Sequence, residues 1–136
     1  MTSRRIAVSS GSQFEAEVGY CRAVRVGPLV VVAGTTAPGG DAATQARAAF
    51  QRIEAALAEA GATLADVIRT RMFVTDIEHW REVGAVHLEV FGAIRPVSTM
   101  VEVSALISPD LLVEVEVDAY VCDSDNSGNR PSAPGE

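Results

Sequence analysis

The sequence predicts an α+β fold: a mixed β-sheet with two helices on one face. Three observations lead there. Two stretches, 41–60 and 76–92, repeat apolar residues at helical spacing. The stretch from Leu112 to Val121 sets Val113, Val115, Val117 and Ala119 against Glu114, Glu116 and Asp118, the period-two pattern of a strand with one apolar and one acidic face. The other β-rich runs are short and bounded by Gly, Pro and Asp. The resulting order is β-β-β-α-β-α-β-β.

Taken along the chain, Ile6 to Val8 adds an edge strand. Arg22 to Val26 and Leu29 to Ala33 form a hairpin about the Gly27-Pro28 turn. Gly34 to Gly40 is loop. Asp41 is the N-cap of a long helix whose buried face is Ala46, Phe50, Ile53 and Leu57, with Arg47, Gln51, Arg52, Glu54 and Glu59 on the wet side. Gly61 ends that helix, since glycine readily takes the left-handed conformation after the last turn. Val67 to Thr75 is a strand. Asp76 or Glu78 begins the second helix, with Trp80 and Phe91 expected in the helix–sheet core and Gly92 as its stop. Pro96 precedes a strand from Thr99 to Val103, Ser108-Pro109-Asp110 is a turn, and Leu112 to Val121 closes the sheet. One sheet face is then left for solvent or a partner.

With 136 residues and 48% hydrophobic content, the chain suits one domain, expected over residues 1–121. Residues 122–136 are rich in Ser, Asn, Gly, Pro and Asp and are expected to be a disordered tail. No apolar run is long enough to span a bilayer, and Met1 to Ser12 lacks the apolar stretch of a secretory signal. A cytoplasmic protein with no membrane partner is expected. The net charge of −7 disfavours nucleic acid, which needs a basic face. Arg69 and Arg71 share a strand face, where they could form a small basic stripe but more simply partner Asp and Glu. Cys21 and Cys122 form no C-x-x-C pair and are expected as free thiols. His79 and His87 are eight residues apart on a helix, about 12 Å at 1.5 Å per residue, too far to share a metal. No metal site and no cofactor are expected.

Four segments carry a resemblance to a known family. They are Gly19-Tyr20-Cys21-Arg22-Ala23-Val24-Arg25-Val26-Gly27, then Val30-Val31-Val32-Ala33-Gly34-Thr35, then Arg69-Thr70-Arg71-Met72-Phe73-Val74-Thr75-Asp76. The fourth joins Pro96-Val97-Ser98-Thr99-Met100-Val101-Glu102-Val103 to Leu112-Val113-Glu114-Val115-Glu116. In this order the chain, from about Tyr20 to Ala119, resembles the Rid (YjgF/UK114) family of enamine and imine deaminases. The resemblance implies a chorismate-mutase-like fold in which three subunits pack their sheets into a central barrel, with small-molecule pockets at the subunit interfaces. It also implies hydrolysis of 2-imino or enamine acids to 2-keto acids and ammonia. In that chemistry an arginine grips the substrate carboxylate, a glutamate positions water, and a tyrosine and a backbone glycine complete the pocket.

Carried across by position, the glutamate is Glu114, the tyrosine Tyr20 and the glycine Gly34. One gap in the turn Ile107-Ser108-Pro109-Asp110 sets the match at Glu114. The family arginine falls on Ser98, the small residue two further on falls on Met100, and a helix asparagine that lines the pocket falls on Gly84. A serine hydroxyl does not replace a guanidinium, whose charged hydrogen bonds are worth roughly 1.5–3 kcal/mol each. Arg22, Arg71 or Arg95 could supply the charge instead, and Arg22, two residues from Tyr20 and expected on the same strand face, is the best candidate. Thr35 offers a hydroxyl after Gly34. Ser98 is not expected to be a nucleophile, because no histidine is placed to activate it.

Three readings follow. The first is a Rid variant that binds and hydrolyses a small imine, enamine or related C–N compound, with Glu114 acting on water, rather than a standard 2-imino acid deaminase. The second is a non-catalytic small-molecule-binding or chaperone-like trimer. The third, endoribonuclease activity, is disfavoured by the acidic charge and the absence of a histidine pair.

Overall fold

The computed structural model describes residues 4–122. All but the first residue of the expected tail lies outside the described residues. Six strands form one sheet: β1 (Arg5–Val8), β2 (Ala23–Val26), β3 (Leu29–Thr35), β4 (Val67–Val74), β5 (Val97–Glu102) and β6 (Val113–Tyr120), in the spatial order β1-β2-β3-β6-β4-β5. Only β4 and β5 run parallel; the other neighbours are antiparallel. The sheet is mixed for a simple reason. Parallel neighbours need a crossover, and α3 (Trp80–Phe91) supplies it between β4 and β5.

The two long helices, α2 (Ala42–Glu59) and α3, cover one face. Asp41 caps α2 by accepting from the Thr44 amide at 2.9 Å, and Gly61 follows it with φ +80°. Ala46, Phe50, Ile53 and Leu57 are all buried, as the helical spacing predicts. Val113, Val115, Val117 and Ala119 of β6 are fully buried beneath α2. Full burial of a valine side chain stabilises by roughly 1.5–3 kcal/mol, so a charge at Val115 would break the fold at its centre. Gln45, also buried, fastens α2 to the start of β6: its amide donates to the Asp110 carbonyl at 3.0 Å and accepts from the Leu112 amide at 2.8 Å.

Among the described residues, no helix covers the opposite face. It carries Glu114, Glu116 and Asp118 together with Arg69 and Arg71, and the exposed apolar side chains of Leu29, Val31, Val97, Val101 and Tyr120. Arg71 bonds Glu116 at 3.2 Å and Asp118 at 3.4 Å, and Arg69 lies 3.8 Å from Asp118. The two arginines are therefore partners of the acidic row rather than a basic stripe. No helix among the described residues is long and apolar enough to cross a membrane.

Several expectations change. A short helix, α1 (Gln13–Val18), stands between β1 and β2, where the expected order has no element. Ser12 caps it and Gly19 ends it at φ +91°. Consequently Tyr20 and Arg22 precede β2 instead of sharing a strand face. Trp80 is 49% exposed, outside the core, with the Arg81 guanidinium 4.6 Å from its ring, whereas Phe91 is buried. The second helix also opens as a single 3₁₀ turn, Ile77–His79, and β5 starts two residues earlier than expected.

Candidate functional site

A cavity of about 1030 Å³ lies where α1, the end of β3 and the start of β6 meet. It gathers five of the sequence-predicted residues: Tyr20, Arg22, Gly34, Thr35 and Glu114. Each has a local cause. The amides of Gly19 and Tyr20 both donate to the Glu15 carbonyl, at 2.9 and 3.1 Å, so the end of α1 fixes where Tyr20 emerges. Glu15 is itself buried, accepting from the amide and hydroxyl of Ser10, and those bonds hold its carboxyl below its ordinary 4.5.

The β3–β6 ladder slips in register between Val32 and Thr35. Such a bulge re-aims side chains locally. Here it places Gly34 directly against Glu114: a Cβ on Gly34 would lie 2.1 Å from Glu114 Oε2. Only a residue with no side chain leaves the carboxylate where it is. Burial pushes the Glu114 carboxyl above its ordinary 4.5; Glu116 pushes the same way, and the Arg22 charge pulls it partly back. The result is a half-buried carboxylate that takes up a proton more readily than a solvated one.

Arg22 enters this cavity as a clamped cation. Its Nη1 donates to the Gly34 carbonyl at 3.0 Å and to Thr35 Oγ1 at 2.9 Å, and its guanidinium carbon sits 5.8 Å from the Tyr20 ring centroid. Its Nε is buried with no hydrogen-bond partner. Thr35 passes the connection on, donating to the Ala33 carbonyl at 2.8 Å. Arg52 and Glu59 of α2 add a second pair of charges to the wall, Arg52 donating to the Thr36 carbonyl at 2.7 Å. Phe14, Val18 and Ile107 form an exposed apolar rim.

Ser98, Met100 and Gly84 lie elsewhere. In the β4–β5 register Ser98 stands beside Thr70 and Met100 beside Met72, both buried on the helix-covered face, whereas Glu114 belongs to the open face. Gly84, on α3, lines a separate cavity of about 220 Å³ with His87, Leu88, Phe91, Gly92, Arg95 and Pro96. Within one chain, the matching positions and the departing ones are therefore two separate groups.

A model of the endoribonuclease L-PSP family matches residues 10–121. The chain belongs to the endoribonuclease L-PSP family. Among solved structures of the L-PSP family and its kin, a Mycobacterium tuberculosis member of the YjgF/YER057c/UK114 family is 69% identical with TM-score 0.86, covering 87% of this chain and 100% of that one. A Yersinia pestis member of the Rid protein family is 28% identical with TM-score 0.77, over 87% and 100% of the two chains. Among characterised and uncharacterised relatives, a RutC family protein of Pyrococcus abyssi is 34% identical over 74% of this chain and 85% of its own. The 3-aminoacrylate deaminase RutC of Acinetobacter baylyi is 35% identical over 60% and 64%. The family and the α+β fold expected from the sequence are both found.

Several residues that shape the site are not singled out from the sequence. Gln45 anchors the start of β6, and a polar residue inside an otherwise apolar helix stripe is its one sequence signal. Ser10 and Ser12 build α1. No histidine bonds Ser98 directly; Thr70 Oγ1 stands between them, 2.7 Å from Ser98 Oγ and 2.8 Å from His87 Nε2. His87 faces inward, packed by Phe50 and Phe91, not outward. No cluster of three or more metal-ligating side chains occurs among the described residues.

Proposed function

We propose that this chain is a Rid-type variant that binds a small imine, enamine or related C–N compound in a pocket shared between subunits of a homotrimer, and hydrolyses it. The observation that carries this reading is the Glu114 carboxylate, half-buried against Gly34 in the same cavity as Tyr20, Arg22 and Thr35. A carboxylate with a raised pKa is suited to general-base work near neutral pH. Glu114 would take a proton from water as the oxygen bonds to the imine carbon. It would pass that proton to the nitrogen, giving a carbinolamine, and then carry the remaining hydroxyl proton to the nitrogen as the C–N bond breaks and the carbonyl forms, so an imine and water give a carbonyl compound and ammonia or an amine. The enamine deaminase named among the relatives supports this reaction class.

The substrate differs from a standard 2-imino acid in this reading. Ser98 stands where the resemblance expects the carboxylate-binding arginine, and Arg22 does not offer the same fork, since its Nη1 is already engaged by Gly34 and Thr35. Ser98, Met100 and Gly84 would reach the pocket from the β5 edge of a neighbouring subunit. The separation of the two groups within one chain, together with the uncovered sheet face, supports that assembly. The departure at Ser98 also favours a second reading, a trimer that binds such compounds without turnover. Ribonuclease activity fits least, given a net charge of −7.

The test is ammonia release from a panel of small imines and enamines with and without a carboxylate. Wild type should hydrolyse carboxylate-free members, and Glu114→Ala should lose at least about a hundredfold in rate. Binding without turnover of any member would select the second reading.

A further inference from the structure

Ser98 is joined through Thr70 to His87 in a hydrogen-bonded chain, and neither Thr70 nor His87 has a part in that chemistry. Thr70 is completely buried, Ser98 is exposed at the β5 edge, and His87 lies between them and the α2–α3 core. Thr70 donates to Ser98 Oγ, so the imidazole donates to Thr70 and the chain points outward. Both hydroxyls rotate, and turning them with the other imidazole tautomer reverses the chain, so that Ser98 donates to Thr70 and Thr70 to His87 Nε2. The inward arrangement is that of an activated hydroxyl nucleophile with a base one residue removed. At the His87 end of the chain lies the cavity of about 220 Å³ whose wall combines His87, Leu88, Phe91 and Pro96 with Arg95.

We propose that Ser98 is an acyl acceptor, activated by His87 through Thr70, toward small activated acyl donors such as aryl esters and acyl thioesters. The Ser98 oxygen bonds to the acyl carbon while its proton passes to Thr70 and the Thr70 proton to His87. The bond to the aryloxide or thiolate breaks, and that group leaves as the anion or takes a proton from water. Water then hydrolyses the acyl-serine to the carboxylic acid. Neither step calls on Glu114, so this activity stands or falls separately from imine hydrolysis.

Burial holds His87 below its ordinary 6.5, which keeps the imidazole neutral and able to accept at pH 7. The groups packed on its ring are Phe50 of α2, Phe91 of its own helix and Thr70 of β4; Arg95 is the charged residue that lines the same cavity.

The probe is p-nitrophenyl acetate, applied to the full chain, with p-nitrophenolate release and peptide mass read together. The chain contains no lysine, so the commonest competing acceptor is absent. One acetyl group on Ser98 is expected, lost in Ser98→Ala. Thr70→Val should slow acetylation by at least about a hundredfold, Thr70→Ser should restore it, and the wild-type rate should fall with acidity as His87 protonates. If Thr70→Val does not fold, His87→Gln carries the same expectation. Absence of acetyl on Ser98 together with p-nitrophenolate release unchanged in Ser98→Ala, or reaction at the wild-type rate in the folded Thr70→Val or His87→Gln protein, would overturn the proposal.

Discussion

The Glu114 carboxylate occupies the space that a side chain on Gly34 would fill, 2.1 Å from where its Cβ would stand. The obstructing atom is the end of a flexible side chain, so Gly34→Ala moves the carboxylate rather than the backbone. The variant should keep its circular dichroism spectrum and lie within about 1 kcal/mol of wild type in urea unfolding. Its ammonia release should fall as far as that of Glu114→Ala. Equal activity in Gly34→Ala would mean that the position of Glu114 is unimportant.

Glu114 also makes stability depend on pH. Its folded pKa is above the unfolded value, so the folded state holds the proton more tightly. Below the ordinary 4.5 both states are protonated and the group costs nothing. As pH rises above that value and through the folded pKa, the cost of a buried charge appears. Glu114→Gln should therefore raise Tm at pH 7 and leave it nearly unchanged at pH 4, as calorimetry at the two values will show. The shift is tempered by the group's partial exposure.

His87 has the opposite sign. Burial lowers its folded pKa, so the unfolded chain binds the proton first as pH falls below the ordinary 6.5. Urea midpoints should decline from pH 7 toward pH 5, and His87→Gln should flatten that part of the decline.

Gly84 sits inside α3 with nothing within 4 Å of a Cβ built on it. A glycine in a helix interior costs roughly 0.5–1 kcal/mol relative to alanine. Gly84→Ala should stabilise the protein by about that amount in urea unfolding. No gain would point to a neighbour that fills the space in solution.

Light scattering at low micromolar concentration should give about three times the 14.3 kDa chain mass. Glu114 and Ser98 lie on opposite faces of one sheet, so a monomer would leave them without a common pocket.

The parts of the fold that the sequence reveals are those with long periodic patterns. The α2 stripe and the β6 alternation are legible because each repeats over many residues against a single core. Helix α1 is not, because six residues carry less than two turns of pattern and its Ser12 and Gly19 signals sit in a Ser/Gly-rich stretch. The meeting of Arg22 with Gly34 and Thr35 depends on a bulge, which periodicity does not encode. The Ser98–Thr70–His87 chain joins residues 17 and 28 positions apart, through a side chain that reads in sequence as an ordinary strand threonine.

The most direct test of the functional account is turnover of 2-iminobutyrate generated in situ, comparing wild type with Ser98→Arg. The account predicts little wild-type turnover and a clear gain in Ser98→Arg, because the arginine restores the carboxylate grip beside an intact Glu114. Robust turnover by wild type, with no gain in Ser98→Arg, would contradict it.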